Sequence, residues 1–235
     1  MKTKLFILIL LAFSPIALFS DYLVLRENLS RAKTGDYLVT VRNKNYTVLL
    51  IQEKKDDSLI VHEITIPGAK FPSWIPTWRS WVESGAPNHT AWMAYKIDLR
   101  DGRIENMYSF THQSWMNLSE TDNLFTKLIN LPFQPLPMEK RRYVGTSDGS
   151  RRLWHPRMVV DGRIVPGVYF DAWAAKWPND GSDMSSKLLH IYIPQESERY
   201  PSYFPYWMRV KAMAGKTNIR IADSGSGLSS PCRYP

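Results

Sequence analysis

The sequence predicts an α+β protein of mostly antiparallel β-structure, a curved sheet or half-barrel meander with roughly three or four covering helices. About nine short runs of β-branched and aromatic residues follow one another along the chain, and short polar turns separate them. The regular alternation of strands with helices that typifies parallel sheets is missing. Strands that are neighbours in the sequence are therefore expected to pair with each other.

Three alternating segments predict the first strands, residues 36–42, 46–54 and 58–66. Because side chains of a strand point alternately to its two faces, His62 and Glu63 in the third segment are expected on opposite faces. The later strands are predicted over residues 89–100, 103–110, 187–194, 208–214 and 218–223.

The tetrapeptide Asp-Gly-Arg-Ile occurs twice, at Asp101–Ile104 and at Asp161–Ile164. Both copies stand between apolar segments, and Asp-Gly accepts the positive φ angles of a two-residue type I′ hairpin. We therefore expect positive φ at Gly102 and Gly162 in two such hairpins. Little else matches around the two copies, so the sequence predicts one kind of turn used twice rather than an internal repeat.

A helix rich in tryptophan is predicted between Ser73, as its N-terminal cap, and Gly85. This helix would place Trp74, Trp78 and Trp81 on one face, since they stand at positions i, i+4 and i+7. Three further helices are expected over residues 23–34, ending at Gly35, and over residues 119–130 and 172–177. The 119–130 segment begins with a capping box, and Asp171 is the expected cap of the last helix.

The N-terminal residues 1–20 are predicted to be a secretory signal peptide, with a basic start, an apolar run and small residues before the cut. The run is shorter than the ~20 residues that span a bilayer, which favours cleavage between Ser20 and Asp21 over retention as an anchor. The mature chain is then predicted to be one β-rich domain, residues 21–223, with a disordered tail at 224–235.

The chain has one cysteine, Cys232, and must fold without an internal disulfide. This composition favours a bacterial envelope protein, periplasmic or secreted, over an animal secreted protein. The formal net charge is +8, and much of the positive charge lies in an irregular connector at residues 131–157. This segment is a candidate for binding an anionic membrane surface or envelope glycans, and a solvated loop is the alternative. Nucleic acid is disfavoured as a partner outside the cytoplasm. The candidate anion-binding residues are Arg141, Arg142, Arg151 and Arg152.

Motifs of common enzymes are missing from the sequence, which has no G-x-S-x-G elbow, phosphate-binding glycine loop or H-E-x-x-H pair. The 5 histidines do not share metal-ligand spacing, and the loop 179–183 lacks the full ligand set of a calcium loop. The sequence therefore predicts no catalytic residue, no metal and no cofactor.

Aromatic side chains are the main candidates for ligand binding, because the chain contains 9 tryptophans. Rings provide flat apolar area with a polar handle, which suits lipids and sugars. The alternative for each group of rings, including Trp173 and Trp177, is packing in the core. The candidates are Trp74, Trp78, Trp81, Tyr200, Tyr203, Phe204 and Tyr206.

Three segments carry a family resemblance: GDYLVT at 35–40, SWVESGAPNHTAWMAYKIDL at 80–99 and YPSYFPYW at 200–207. They resemble an uncharacterised exported protein family of chlamydia-like bacteria. The resemblance would cover most of the mature chain, and it implies no activity. The predicted architecture is also similar to that of periplasmic lipoprotein-carrier half-barrels, by analogy and without a shared motif.

Three functions are consistent with these observations. The first is a periplasmic or secreted binding protein for an apolar or amphipathic ligand such as a lipid. The second is an envelope or host-facing module that binds proteins on its surface and has no pocket. The third is an envelope hydrolase, although the sequence contains no hydrolase motif that supports it.

Overall fold

Fifteen β-strands, three short α-helices and a 3₁₀ turn make up the described part of the chain in this computed structural model. The structure describes residues 22–118, 122–137, 140, 142–144, 158–212 and 215–235. The predicted signal peptide and cleavage site, Ser119 of the predicted capping box and most of the basic connector lie outside these residues.

The predicted fold class is confirmed, since the protein is α+β and mostly antiparallel sheet. The strands are β1 Leu23–Val24, β2 Tyr37–Arg42, β3 Asn45–Lys55, β4 Ser58–Pro67, β5 Ala91–Asp98, β6 Ile104–Ser109, β7 Ser114–Trp115, β8 Pro132–Pro135, β9 Arg142–Val144, β10 Val159–Val160, β11 Arg163–Ile164, β12 Val168–Lys176, β13 Leu188–Pro194, β14 Trp207–Ala212 and β15 Gly215–Gly225. The helices are α1 Leu25–Leu29, α2 Trp78–Glu83 and α3 Asp122–Asn130, and the 3₁₀ turn is Gly68–Lys70.

One large open sheet holds most of the strands, in the order β1-β8-β12-β13-β14-β15-β2-β3-β4-β5-β6-β7, with β9 also paired to β12. Two meanders, β2 to β7 and β12 to β15, are each built from strands that follow one another in sequence. The last strand, β15, pairs antiparallel with β2 and joins the two meanders. The strands β10 and β11 form a separate hairpin.

The sheet is curved, because side chains from strands far apart in this order meet on one face. Ile51 of β3, Tyr95 of β5, Phe133 of β8 and Ile191 of β13 belong to one buried cluster. Helices α1 and α3 also contribute to this cluster, which we call the concave core. They fill one end of the concave face.

A second buried cluster lies on the opposite, convex face. Strands β2 to β5 pack against α2 there, and Trp81 and Val82 of that helix are completely buried. We call this cluster the convex core. A third cluster lies on β12 to β15 and also takes in Leu38 of β2, beside Phe170, Tyr206 and Met158.

Helix α2 begins later than the sequence predicts. Its N-terminal cap is Thr77, whose hydroxyl accepts a hydrogen bond from the Ser80 amide at 3.1 Å. Ser73 is therefore not the cap. The residue before a proline is disfavoured in the α region, so Ile75, which precedes Pro76, cannot continue a helix that starts at Ser73.

The helix predicted over residues 172–177 is wrong, because this segment belongs to strand β12. It pairs with β13 from Phe170↔Pro194 to Lys176↔Leu188. Side chains alternate along it, with Ala172 in the third cluster and Ala175 in the concave core. An i, i+4 pair such as Trp173 and Trp177 is about one helical turn but also two strand periods, so the spacing did not separate the two structures.

The C-terminal segment 224–235 differs from the disordered tail that its composition predicts. Leu228 is buried, and its amide donates to the Gly35 carbonyl at 2.9 Å. The Arg79 guanidinium donates to the carbonyls of Ser226 and Gly227 at 2.7 and 2.8 Å. Contacts with distant residues hold this segment on the convex core. Such contacts cannot be predicted from a local composition rich in Ser and Gly.

The two Asp-Gly turns are different from each other. Gly162 has φ 76° and Asp161 φ 46° between the paired residues Val160 and Arg163, which confirms a two-residue type I′ hairpin. Gly102 also has positive φ, 77°, but its loop has four residues, 99–102. The Asp98 amide donates to Arg103 and its carbonyl accepts from Gly102. The length predicted for the first hairpin is therefore wrong.

Candidate functional site

The concave face of β2 to β5 is only partly covered at the end away from α1 and α3. Along β3 and β4, Val48, Leu50 and Ile64 point to the convex face and are fully buried. The residues between them, on the concave face, are half-exposed. We call this half-exposed concave surface the concave trough, and its residues are Thr40, Thr47, Leu49, Glu63, Thr65 and Met93.

A row of threonines crosses the trough. Thr40 is directly opposite Thr47 on the next strand, and Thr47 is opposite Thr65. The hydroxyls of Thr47 and Thr65 lie 3.0 Å apart, and the Thr40 hydroxyl donates to the Thr47 carbonyl at 3.3 Å. β-Branched threonine suits a strand, and each hydroxyl can both donate and accept. The row is a hydrogen-bonding surface within the sheet.

The next row places one carboxyl group between two apolar side chains. Glu63 of β4 is opposite Leu49 of β3 and Met93 of β5. Burial raises the pKa of the Glu63 carboxyl, and a hydrogen bond with Tyr95 partly offsets this effect. The pKa of Tyr95 lies well above its usual value because of burial and the nearby Glu63 charge. The Tyr95 hydroxyl therefore stays protonated and donates to Glu63.

Apolar side chains of the neighbouring strands extend the trough. Val210 of β14 and Ile219 of β15 are half-buried and pack against the concave core. A cavity of about 360 Å³ lies at the mouth, where Arg42 and Asn45 are exposed beside Thr40. The trough thus combines hydroxyls, one carboxyl group and apolar surface.

Two features are absent from the described residues. No group of three or more His, Cys, Asp or Glu side chains among them could hold a metal ion. In the same part of the chain, no helix has the length and apolar character needed to cross a bilayer.

A Ser–His contact is present, but it lies inside the convex core. The Ser230 hydroxyl is 3.1 Å from His62 Nδ1, and Trp92 Nε1 donates to the same nitrogen at 3.4 Å. His62 is completely buried, and within the described residues its Nε2 has no hydrogen-bond partner. Burial lowers the pKa of His62 to about 4. A general base needs access to substrate and an orienting partner, so this contact is structural.

The predicted tryptophan face does not exist as one surface. Trp74 precedes α2 and is 72% exposed, whereas Trp81 is completely buried in the convex core. Trp78 is half-buried and packs against Tyr46 and Phe71. All three lie on the convex side, away from the concave trough.

The aromatic segment 200–207 is mostly core. Tyr200, Tyr203 and Tyr206 are buried. Phe204 is half-buried and packs against the concave core. The alternative of core packing thus describes these tyrosines better than an exposed binding surface.

The predicted anion-binding arginines are not brought together in the described structure. The backbone of Arg142 lies on β9, opposite Phe170 of β12. Arg141, Arg151 and Arg152 lie outside the described residues. Binding of an anionic surface by this segment stays a prediction.

Sequence analysis did not identify the trough residues. In the sequence, Glu63 was notable only because it follows His62. The threonines are ordinary strand-forming residues and indicated no site. A signal was nevertheless present, because these residues alternate on two adjacent strands with the apolar Val48, Leu50, Ile64 and Ile66. Only the register of the strands shows that they adjoin.

The fold defines the class of this protein as an open, curved, antiparallel sheet with short helices on both faces. The chain belongs to the CT021 protein family, whose model matches residues 47–166. It is similar over 91% of its length to the solved structure of the hypothetical protein CT021 from Chlamydia trachomatis, with a TM-score of 0.61, 19% identity and 98% of that chain covered. The predicted resemblance to an uncharacterised chlamydial family is confirmed. No curated protein matches the sequence.

Proposed function

We propose that the protein is an exported binding protein that holds an amphipathic ligand in the concave trough. The observation that carries this proposal is the row Leu49, Glu63 and Met93, half-exposed in the middle of the sheet. Apolar side chains at this depth are normally covered, and binding sites typically combine apolar lining with a few polar groups. The trough has this composition.

The polar groups favour a ligand head that donates hydrogen bonds. Glu63 accepts, and the threonine hydroxyls accept or donate. An uncharged head with hydroxyl groups fits this surface, whereas a carboxylate head would meet the Glu63 charge without compensation. The hydrocarbon part would lie along Leu49, Met93 and Ile219. A monoacylglycerol has both features.

Native mass spectrometry of the protein without residues 1–20 tests the proposal with a medium-chain monoacylglycerol. We expect a one-to-one complex at neutral pH, and weaker binding of the fatty acid of equal chain length. The variants Leu49→Lys and Met93→Lys should abolish the complex, because each puts a charge on the apolar floor.

Leu188→Lys is the matched control. Leu188 is also a partly exposed leucine, 36% exposed, but it points away from the concave face on β13. Its substitution should leave binding unchanged. Failure of the wild-type protein to bind monoacylglycerol, or equal loss in the control, would contradict the proposal. Circular dichroism of each variant shows whether it is folded.

Export is part of the proposal and rests on the N-terminal pattern of residues 1–20. Intact-mass analysis of protein secreted by its native host should give a chain that begins at Asp21. Secreted material that retains these residues would contradict cleavage.

A protein-interaction module is the second candidate, and the edge of the sheet favours it. Strand β7 is paired on one side to β6, and Trp115 and Met116 there are 52% and 42% exposed. Exposed aromatic side chains are enriched at protein interfaces. Crosslinking from a photoreactive residue at position 116 in native cells should then capture one defined partner, and a diffuse pattern would speak against this module.

A further inference from the structure

We propose that the groove beside Trp74 on the convex side is a saccharide-binding site that prefers an acidic sugar. The groove is separate from the concave trough, so this proposal does not rest on the proposed function. Its volume is about 660 Å³. Its lining residues include Lys70, Ser73, Trp74, Asn88 and His89.

Trp74 is held outward on an anchored loop. Its neighbours Pro72 and Ile75 are both buried, and the Ile75 amide donates to the Pro72 carbonyl at 3.1 Å. Trp74 is nevertheless 72% exposed. Burying a side chain of this size would stabilise the fold. Its exposure on an anchored loop therefore does not contribute to stability. A preorganised ring loses little entropy when a ligand stacks on it.

Polar side chains also line the groove, and hydrogen bonds orient two of them. The Asn88 amide nitrogen donates to the Lys70 carbonyl at 3.2 Å, which leaves the amide oxygen as an acceptor. His89 Nδ1 lies 2.9 Å from the Ala86 carbonyl, so this nitrogen carries the proton and Nε2 is an acceptor. Ser73 adds an exposed hydroxyl.

A sugar ring matches this arrangement better than a lipid or an apolar peptide does. One face of a pyranose presents C–H groups that stack on an aromatic ring, and its edge presents hydroxyls that donate and accept. The acceptors on Asn88 and His89 and the hydroxyl of Ser73 suit those hydroxyls. A lipid tail would leave these polar groups without partners.

Lys70 directs the preference toward an acidic sugar. Its side chain is exposed, and it has no ion pair within the described part of the chain. The lining residues of the groove include no Asp or Glu. A carboxylate on the sugar would therefore gain a charge-assisted hydrogen bond without a competing acid beside it.

Saturation-transfer NMR with the protein lacking residues 1–20 tests the site, using a disaccharide that contains glucuronic acid and its neutral glucose analogue. We expect tighter binding of the acidic sugar, and a loss of about tenfold or more on Trp74→Ala. Trp74→Phe should retain part of the affinity. Lys70→Gln should remove the preference for the acidic sugar while leaving the neutral sugar unchanged.

Trp115→Ala is the matched control, because Trp115 is also a strongly exposed tryptophan, at 52%. Binding that survives Trp74→Ala, or that falls equally in the control, overturns the proposal. Absence of sugar binding by the wild-type protein also overturns it, as does Trp74-dependent binding to neutral phosphatidylcholine vesicles in place of the sugars. Leu49→Lys should leave sugar binding intact, which separates this site from the concave trough.

Discussion

The two faces of strand β4 surround adjacent residues with opposite environments. His62 lies in the convex core, completely buried under α2 and the C-terminal segment, and burial lowers its pKa. Glu63 lies on the concave face, half-exposed, and burial raises its pKa. One cause, the loss of water around a charge, moves the base and the acid in opposite directions because both favour the neutral form.

The difference separates the face that stabilises the fold from the face that we propose to bind a ligand. The convex face is closed by α2 and residues 224–235, where His62 contacts Ser230 and Arg79 donates to backbone carbonyls. The concave face is closed only at the end where α1 and α3 lie, and the remainder is half-exposed. Substitutions on the convex face should therefore affect folding, and those in the trough should affect ligand binding more than folding.

Truncation of a large side chain on each face gives the largest expected difference. Trp81→Ala should lower the free energy of unfolding by about 3–5 kcal/mol, because Trp81 is completely buried in the convex core. Met93→Ala in the trough should cost about 1 kcal/mol, since its side chain is already half-exposed. Urea unfolding at neutral pH measures both. Equal losses would show that the two faces are equally packed.

Acid should destabilise the convex face through His62. Its folded pKa is lowered from 6.5 to about 4, so the unfolded chain binds the proton more tightly. The stabilising effect of the neutral ring is complete above pH 6.5 and is lost as the pH falls toward 4. The loss attributable to His62 is about 3 kcal/mol.

The control for this prediction is His62→Gln, which cannot titrate in this range. Its free energy of unfolding should depend less on pH between 6.5 and 4, although its stability at neutral pH is lower. Parallel curves for the variant and the wild-type protein would rule out His62 as the acid-sensitive group.

The two Asp-Gly turns test how tightly the filled end of the concave face is packed. A Cβ at Gly102 would lie 2.7 Å from Asn130 Nδ2 and 2.9 Å from Ile129 Cδ1 of α3. A Cβ at Gly162 would meet no described atom within 4 Å. Both have positive φ, so Gly→Ala strains both, but Gly102→Ala should cost about 1–2 kcal/mol more. Similar melting temperatures would show that α3 is loosely packed there.

Glu63→Gln should give the smallest effect and the opposite sign. The folded pKa of Glu63 is raised, so the folded chain binds the proton more tightly and its stability falls as pH rises above 4.5. The amide removes this cost and still accepts from Tyr95. Thermal unfolding should show a gain of a few degrees at neutral pH that disappears below pH 4.5. A constant gain at every pH would mean that charge is not the cause.

The repeated motifs show how much of the structure can be predicted from the sequence. Asp-Gly indicated positive φ at Gly102 and Gly162, and both are confirmed because the preference is local to the glycine. The predicted loop length was wrong at the first turn, because the backbone of Asp98 and its hydrogen bonds with Arg100 organise a longer loop. The segment that contains Trp173 and Trp177 was predicted to be a helix because their i, i+4 spacing fits one helical turn. The prediction was wrong because the same spacing also fits a strand.

The sequence by itself determined the fold class, the pairing of consecutive strands and the opposite orientation of His62 and Glu63, since these depend on alternation and turn chemistry within short segments. Only the tertiary structure decided which face would be closed. The pairing of β15 with β2, the position of α2 on the convex side and the anchoring of the C-terminal segment bring together residues far apart in the chain. Burial arises from such contacts, so the half-exposed trough became visible only when the sheet was assembled.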